Sequence, residues 1–243
     1  MRNSVLWSPV LKHPDLKVGE IHVWRAHLNC DEPIVHRLSA TLASDEVTRA
    51  SRFVFQPDRN DFVVTRGALR VLLAKYLKCS PKEIHFNCNP RGKPFLILND
   101  WDRKVQFSIS HSHGMALLAF AVELRLGVDV ELVLPDFACD DLAPRYFSQE
   151  EVLELRALPS SLRTEGFFRC WTRKEAYIKA RGEGLQIPLQ SFRVSVSPKL
   201  APRLDSNDSS MWKLVSLNPG PGYVGALVGE GKRWRLRLWD WMP

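Results

Sequence analysis

The chain has 243 residues, with 34 lysines and arginines against 27 aspartates and glutamates, a formal charge of +7 and 45% hydrophobic content. That composition excludes wholesale disorder, and at roughly 150 residues per domain the length allows one to two domains. The longest uninterrupted apolar run, Met115 to Val122, covers eight residues, where a spanning helix needs about 20, so no membrane helix is expected. No continuous apolar stretch follows Met1, and no secretory signal is expected either. Five cysteines, at 30, 79, 88, 139 and 170, form no C-x-x-C pair. That speaks against a disulfide framework and a zinc site and suits a reducing cytoplasm. The basic excess and the eight tryptophans leave nucleic acid, an acidic protein or a phosphorylated small molecule open as partners.

In chain order, Glu20–Ala26 reads as a strand, and Ser44-Asp45-Glu46 as a capped helix start with acids at its positive end. Pro57-Asp58 opens a helix to about Leu77, with Phe62, Leu69, Leu72, Leu73 and Tyr76 at helical spacing. Ser80-Pro81-Lys82-Glu83 is a capping box with proline at the first helical position. The turn Asn89–Pro94 leads into the apolar run Phe95–Leu98. Met115–Val122 and Leu126–Val133 form a strand pair. Ser148-Gln149-Glu150-Glu151 is a second capping box, opening a helix to about Leu158, and a further helix runs from about Thr164 to Arg181 and stops at Gly182. The remainder reads as strands at Ser191–Val196, Met211–Leu217, Tyr223–Val228 and Arg233–Trp239, with a turn at Asn218–Gly222. The reading is an α+β protein of two similar halves, 1–114 and 115–243.

Three constellations carry chemistry. In Gly127-Val128-Asp129-Val130-Glu131, strand alternation projects Asp129 and Glu131 to one face. Two adjacent carboxylates repel unless a cation or proton separates them, and hard oxygen ligands suit Mg²⁺. A solvated acidic edge strand is the simpler alternative. Trp171, Glu175 and Lys179 fall four apart on one line of a helix. They could form a surface ion pair, although Trp171 and Phe168 argue for a mostly buried stripe whose charges need partners. In Phe107–Gly114, Ser108 and Ser110 share one strand face and Phe107, Ile109 and His111 the other. Such hydroxyls and imidazoles suit phosphate oxygens, or simply a strand passing into a turn.

These segments, in this order, resemble the two-domain, Sfp-like class of 4′-phosphopantetheinyl transferases. The matching elements are Ser110-His111-Ser112, Gly127–Glu131, Trp171-Thr172-Arg173-Lys174-Glu175-Ala176-Tyr177-Ile178-Lys179 with Gly182-x-Gly184, and the Gly92-Lys93-Pro94 turn. The resemblance implies a pseudo-twofold fold of two subdomains, helices packed on antiparallel sheets, with 115–243 carrying most of the site. It implies transfer of phosphopantetheine from coenzyme A to a serine of an apo acyl or peptidyl carrier protein, releasing adenosine 3′,5′-bisphosphate. The pathways served by the family are fatty acid, polyketide and nonribosomal peptide synthesis.

By position, Asp129, Glu131 and Glu175 would hold Mg²⁺ (or Mn²⁺), and Ser110 and His111 would contact the coenzyme's phosphates. Lys93 would meet the 3′-phosphate end, and Lys174 and Lys179 would neutralise the pyrophosphate. Glu175 is the candidate base, with Lys179 and Glu151 as further catalytic candidates, Glu151 steering Lys179 or only capping its helix. Arg59, Arg66 and Arg70 share a helix face and could reach the 3′-phosphate or be solvated. Asp61 stands where relatives carry a base, so Arg59 or Arg52 would substitute. A cytoplasmic monomer with no nucleic-acid or membrane partner is expected. The rivals are a Mg²⁺-dependent nucleotide-anhydride hydrolase and a basic nucleic-acid-binding module. The second leaves the paired carboxylates unexplained.

Overall fold

The structure is a computed structural model that describes residues 6–10, 13–97, 104–183 and 187–243. Leu98 and Gly184, both used above, lie outside the described residues.

The N-terminal half contributes β1 (Ser8–Pro9), β2 (Glu20–His27), α1 (Glu32–Ser39), α2 (Ser44–Ala50), α3 (Gln56–Leu77) and the short hairpin β3 (Phe86–Cys88) and β4 (Pro94–Leu96). Then follow β5 (Val105–Ser112), β6 (Met115–Val122) and β7 (Leu126–Leu132). The remaining elements are α4 (Cys139–Tyr146), α5 (Gln149–Arg156), α6 (Ser160–Arg181), β8 (Arg193–Val194), β9 (Leu204–Asp205), β10 (Trp212–Leu217), β11 (Tyr223–Glu230) and β12 (Arg235–Asp240).

A five-stranded sheet, β1-β12-β2-β6-β5, packs against a three-stranded antiparallel sheet, β10-β11-β7. Ile21, Val23, Leu117, Ala119, Val128, Val130 and Leu227 fill the space between them. A separate core, with Leu69, Leu72, Leu73 and Phe120, joins α3 to the larger sheet. Another, with Phe167, Phe168, Tyr177 and Val228, joins α6 to the smaller one. The layers are therefore helix, sheet, sheet, helix. This explains why β6 is apolar throughout: every residue from Met115 to Val122 is buried, because both faces of that strand meet protein.

Both long helices have 22 residues and both end on a left-handed residue, Lys78 (φ 57°) and Gly182 (φ 71°). Each is braced by the preceding short helix. Buried Glu46 of α2 receives Arg66 Nε and Arg70 Nε of α3, each at 2.5 Å. Glu151 of α5 receives Lys174 Nζ of α6 at 2.7 Å, with both side chains fully buried. The capping box at Ser148 and Glu151 forms as expected, with Ser148 N donating to Glu151 Oε2 at 2.8 Å. Ser44, by contrast, is the first helical residue and not a cap; the cap position is Ala43, whose N–H is taken by Glu46 at 2.9 Å.

Three expectations change. The division at 114 and 115 falls inside the β5–β6 hairpin, in a two-residue turn where His113 and Gly114 both have positive φ. Strand β6 stays with the first sheet, and the C-terminal strand β12 returns to it beside β2, so the larger sheet draws on both halves while the smaller is built from the second alone. β12 runs parallel to β1 and β2, so the larger sheet is mixed and not wholly antiparallel. Ser191–Val196 shrinks to a two-residue strand paired with β9. Helices α1 and α4 were not anticipated, although Asp31-Glu32-Pro33 is a helix-start signal.

Candidate active site

β7 is the edge of the smaller sheet, and its free side faces β5 across the seam between the two sheets. Three alternate serines of β5 close that seam. Ser108 Oγ accepts from Val128 N at 3.1 Å, Ser110 Oγ donates to Asp129 Oδ1 at 2.7 Å, and Ser112 Oγ donates to Glu131 Oε2 at 2.6 Å. The same strand period that aims the serines inward puts Asp129 and Glu131 on one face of β7.

α6 lies across β7, and Gly127 permits the approach: a Cβ there would sit 2.1 Å from Ala176 O and 2.3 Å from Ala180 N. Only a glycine fits so close a backbone crossing. The crossing brings Glu175 and Lys179, one turn apart, over the two carboxylates. Lys179 Nζ donates to Asp129 Oδ1 at 2.6 Å and to Ser110 Oγ at 3.1 Å. Trp171, Glu175 and Lys179 are all partly exposed on this stripe, while residues 172–174 and 176–178 are buried.

Glu175 and Lys179 face a cleft, whereas Trp171 packs on Tyr146 and Phe167. The cleft has a volume of about 250 Å³, and its lining includes Gly92, Lys93, Phe107, Ile109, Glu175 and Lys179. Elements of both halves form it.

The electrostatics are strained in one direction. Burial, and then the neighbouring Asp129, push the Glu175 carboxyl above its usual range. Burial and Asp129 do the same to Glu131, opposed by the Ser112 hydrogen bond. Asp129 Oδ1 is saturated by Ser110 and Lys179, whereas Asp129 Oδ2 is buried with no hydrogen-bond partner.

A buried orphan carboxylate oxygen beside two further carboxylates is a donor set for a hard cation. Among the described residues, no three carboxylate, imidazole or thiolate groups stand where they could hold a metal ion by themselves. Mg²⁺ usually takes one or two carboxylates and completes its shell with substrate phosphates and water. The residues present thus fit the ion that the resemblance implies.

Several residues singled out from the sequence are placed elsewhere. Lys174 does not reach the cleft: it is wholly buried, and its amine is spent on Glu151 and on the carbonyls of Leu189 and Phe192, both at 2.7 Å. Glu151 does not steer Lys179, because its two oxygens serve Lys174, Ser148 N and Val194 N. Arg66 and Arg70 are neither solvated nor free for phosphate, being held by Glu46, with Arg70 also donating to Pro81 O and Ile84 O. Arg52 and Arg59 are exposed on and beside the loop between α2 and α3, and neither lines the cleft.

Ser110 gives its one proton to Asp129 and accepts from Lys179 Nζ, so its hydroxyl orients that carboxylate. His111 is exposed and does not line the cleft; desolvation of its ring, outweighing the opposing pull of Asp61, lowers its pKa from the usual imidazole value. Lys93 lines the cleft, but its amine donates to Lys179 O and Leu126 O. Ser112, whose contact with Glu131 makes it part of the site, was not singled out; the Ser-x-Ser-x-Ser alternation at 108, 110 and 112 was the available signal.

Residues 125–228 match the family model of the 4′-phosphopantetheinyl transferase superfamily, and residues 30–123 match that of the 4′-phosphopantetheinyl transferase N-terminal region. The chain is 35% identical over 235 residues to the 4′-phosphopantetheinyl transferase HetI of Nostoc, covering 97% of this chain and 98% of that protein. It is 27% identical over 193 residues to the 4′-phosphopantetheinyl transferase Sfp of Bacillus subtilis, covering 79% and 83%. A third relative, a putative 4′-phosphopantetheinyl transferase of Synechocystis, is 35% identical over 189 residues, or 76% of each chain. With near full-length kinship to HetI and a cleft built where the shared motifs converge, the chain belongs to the 4′-phosphopantetheinyl transferases of the Sfp-like type.

Proposed function

We propose that this phosphopantetheinyl transferase takes its group from coenzyme A, requires Mg²⁺, and releases adenosine 3′,5′-bisphosphate as it modifies a serine of an apo acyl or peptidyl carrier protein. The observation that carries the reading is the Asp129 carboxylate, one oxygen fixed by Ser110 and Lys179 and the other buried and unpaired, with its charge felt by both Glu131 and Glu175.

Attack on a pyrophosphate is mostly a matter of positioning and charge neutralisation. Asp129, Glu131 and Glu175 would hold the Mg²⁺ (Mn²⁺ as substitute), which supplies neutralisation of pyrophosphate charge when bound. Lys179 adds a second cation on the cleft wall, where charge develops on the departing bisphosphate. Glu175, its proton affinity raised by burial and by Asp129, accepts the proton of the carrier serine. His111 contributes to phosphate binding.

Since one chain supplies both walls of the cleft, the reading makes the protein a monomer. It also places it in the cytoplasm with its carriers. Among the described residues no helix is long and apolar enough to cross a membrane.

The test is purified protein with coenzyme A, Mg²⁺ and a panel of apo-carriers from fatty acid, polyketide and nonribosomal peptide systems. A mass gain of one phosphopantetheine on at least one carrier, abolished by chelation, is the expected result. No transfer to any carrier overturns the reading, and bisphosphate released without a carrier assigns a hydrolase instead.

A further inference from the structure

We propose that Lys93 is a positioning residue that pins the last turn of α6 against the first residue of β7, and that it does not take the coenzyme's 3′-phosphate. The inference deepens the transfer reading above and rests on it.

The last carbonyls of a helix have no partner within it and carry the negative end of its dipole, which an ammonium group complements. Gly182 N satisfies Ile178 O at 2.9 Å; Lys179 O receives Lys93 Nζ at 2.5 Å. The same amine donates to Leu126 O at 3.2 Å, on the strand edge that leads to Asp129 three residues on. Lys93 thus ties together the two elements whose side chains, Lys179 with Glu175 and Asp129 with Glu131, must keep register with one another.

The turn that carries Lys93 is itself fixed. Asn89 Oδ1 accepts from Arg91 N and Lys93 N, both at 2.9 Å, Asn89 N donates to Lys93 O at 2.9 Å, and Asn89 Nδ2 donates to Gly182 O at 2.8 Å. Gly182 packs against the aliphatic stem, with a built Cβ meeting Lys93 Cδ at 3.5 Å. One surface turn of the N-terminal half therefore clamps the C-terminal end of the catalytic helix through two side chains. Burial, followed by the nearby cations Arg125 and Lys179, lowers the Lys93 amine to about 8. An amine so enclosed and so bonded is spent on the fold.

The test uses two ligands that differ only in the 3′-phosphate, adenosine 3′,5′-bisphosphate and adenosine 5′-monophosphate. Their dissociation constants are measured on the wild type, Lys93→Met and Lys93→Gln, beside kcat and KM for transfer to a carrier the wild type accepts. Lys93→Met should lower kcat about tenfold or more and leave the ratio of the two dissociation constants within twofold. Lys93→Gln, whose amide still donates to carbonyls, should recover part of kcat. A ratio that collapses tenfold toward unity in either variant, or an unchanged kcat in Lys93→Met, overturns the proposal. If Lys93→Met does not fold, the ratio and kcat of Lys93→Gln decide alone: a kept ratio with reduced kcat supports it, and a collapsed ratio or an unchanged kcat overturns it. Wild-type transfer is the control that separates failure of this proposal from failure of the transfer reading.

Discussion

The helices α3 and α6 are built on one plan and put to different uses. Each has 22 residues, a left-handed terminal residue, and at its fifteenth position a buried base, Arg70 or Lys174, held by a glutamate of the short helix before it. In both halves that ion pair locks the helix to its neighbour, and in neither does it face the cleft. The difference comes one residue later. The sixteenth position is Val71 in α3, against Glu175 in α6, and only α6 crosses a strand bearing paired carboxylates. A shared scaffold thus confines the chemistry to one copy. The equivalent basic residues of the other copy, which the motif pattern invites one to count as phosphate ligands, are structural.

The sharpest way to break this contrast is at Asp129. Asp129→Asn should cut transfer by on the order of 10³-fold, the size expected when a main charge-stabilising group is lost, with far-UV circular dichroism unchanged; activity within tenfold of wild type would remove Asp129 from the site. The braces should behave in the opposite way. Glu151→Gln leaves the Lys174 amine buried without its charge partner and should cost about 3–5 kcal/mol of stability, measured by urea unfolding. Adding Lys174→Met should recover much of it. If Glu151→Gln instead kept its stability and lost kcat, Glu151 would belong to the chemistry after all.

Gly127→Ala tests the crossing itself. The added Cβ has no room against Ala176 O, so a loss of about 1–3 kcal/mol is expected from overpacking, together with reduced transfer as α6 is pushed off β7. A variant as stable and active as wild type would contradict the close approach.

The smallest effect is on the N-terminal side, where His13 and His22 lie against Tyr76 and Trp24. His22 Nδ1 sits 2.9 Å from Tyr76 Oη. Burial lowers His22, and burial, with Lys75 and His22 adding to it, lowers His13 to about 4. The unfolded chain therefore binds more protons than the folded one between about pH 6.5 and 4, so stability falls across that window as pH falls. Melting temperatures from pH 7 to 4 should show this slope, and His22→Gln should flatten it; an equal slope in the variant would locate the titration elsewhere.

Much of this was legible in the sequence because it is local. The 3.6-residue period gave both long helices to within a few residues of their observed bounds. The two-residue period placed Asp129 with Glu131, and the capping box placed the start of α5. What could not be read was which charged groups are already spoken for. Lys174 and Lys179 sit in one motif, five residues apart, and nothing local says that one is sealed against Glu151 while the other stands over Asp129. The same holds for Lys93, whose turn was visible but whose carbonyl partners lie 33 and 86 positions away in the chain.

By itself, then, the sequence determined the periodic elements, the paired carboxylates and, through its ordered motifs, the family. The tertiary structure alone decided the division between sheets, the return of β12 to the first of them, and the sorting of basic residues into braces, clamp and cleft. The physical reason is that periodicity fixes which face a side chain takes, whereas desolvation and pairing depend on what is packed against that face, and here the packing comes from separate elements of the chain and, for Lys93, from its other half.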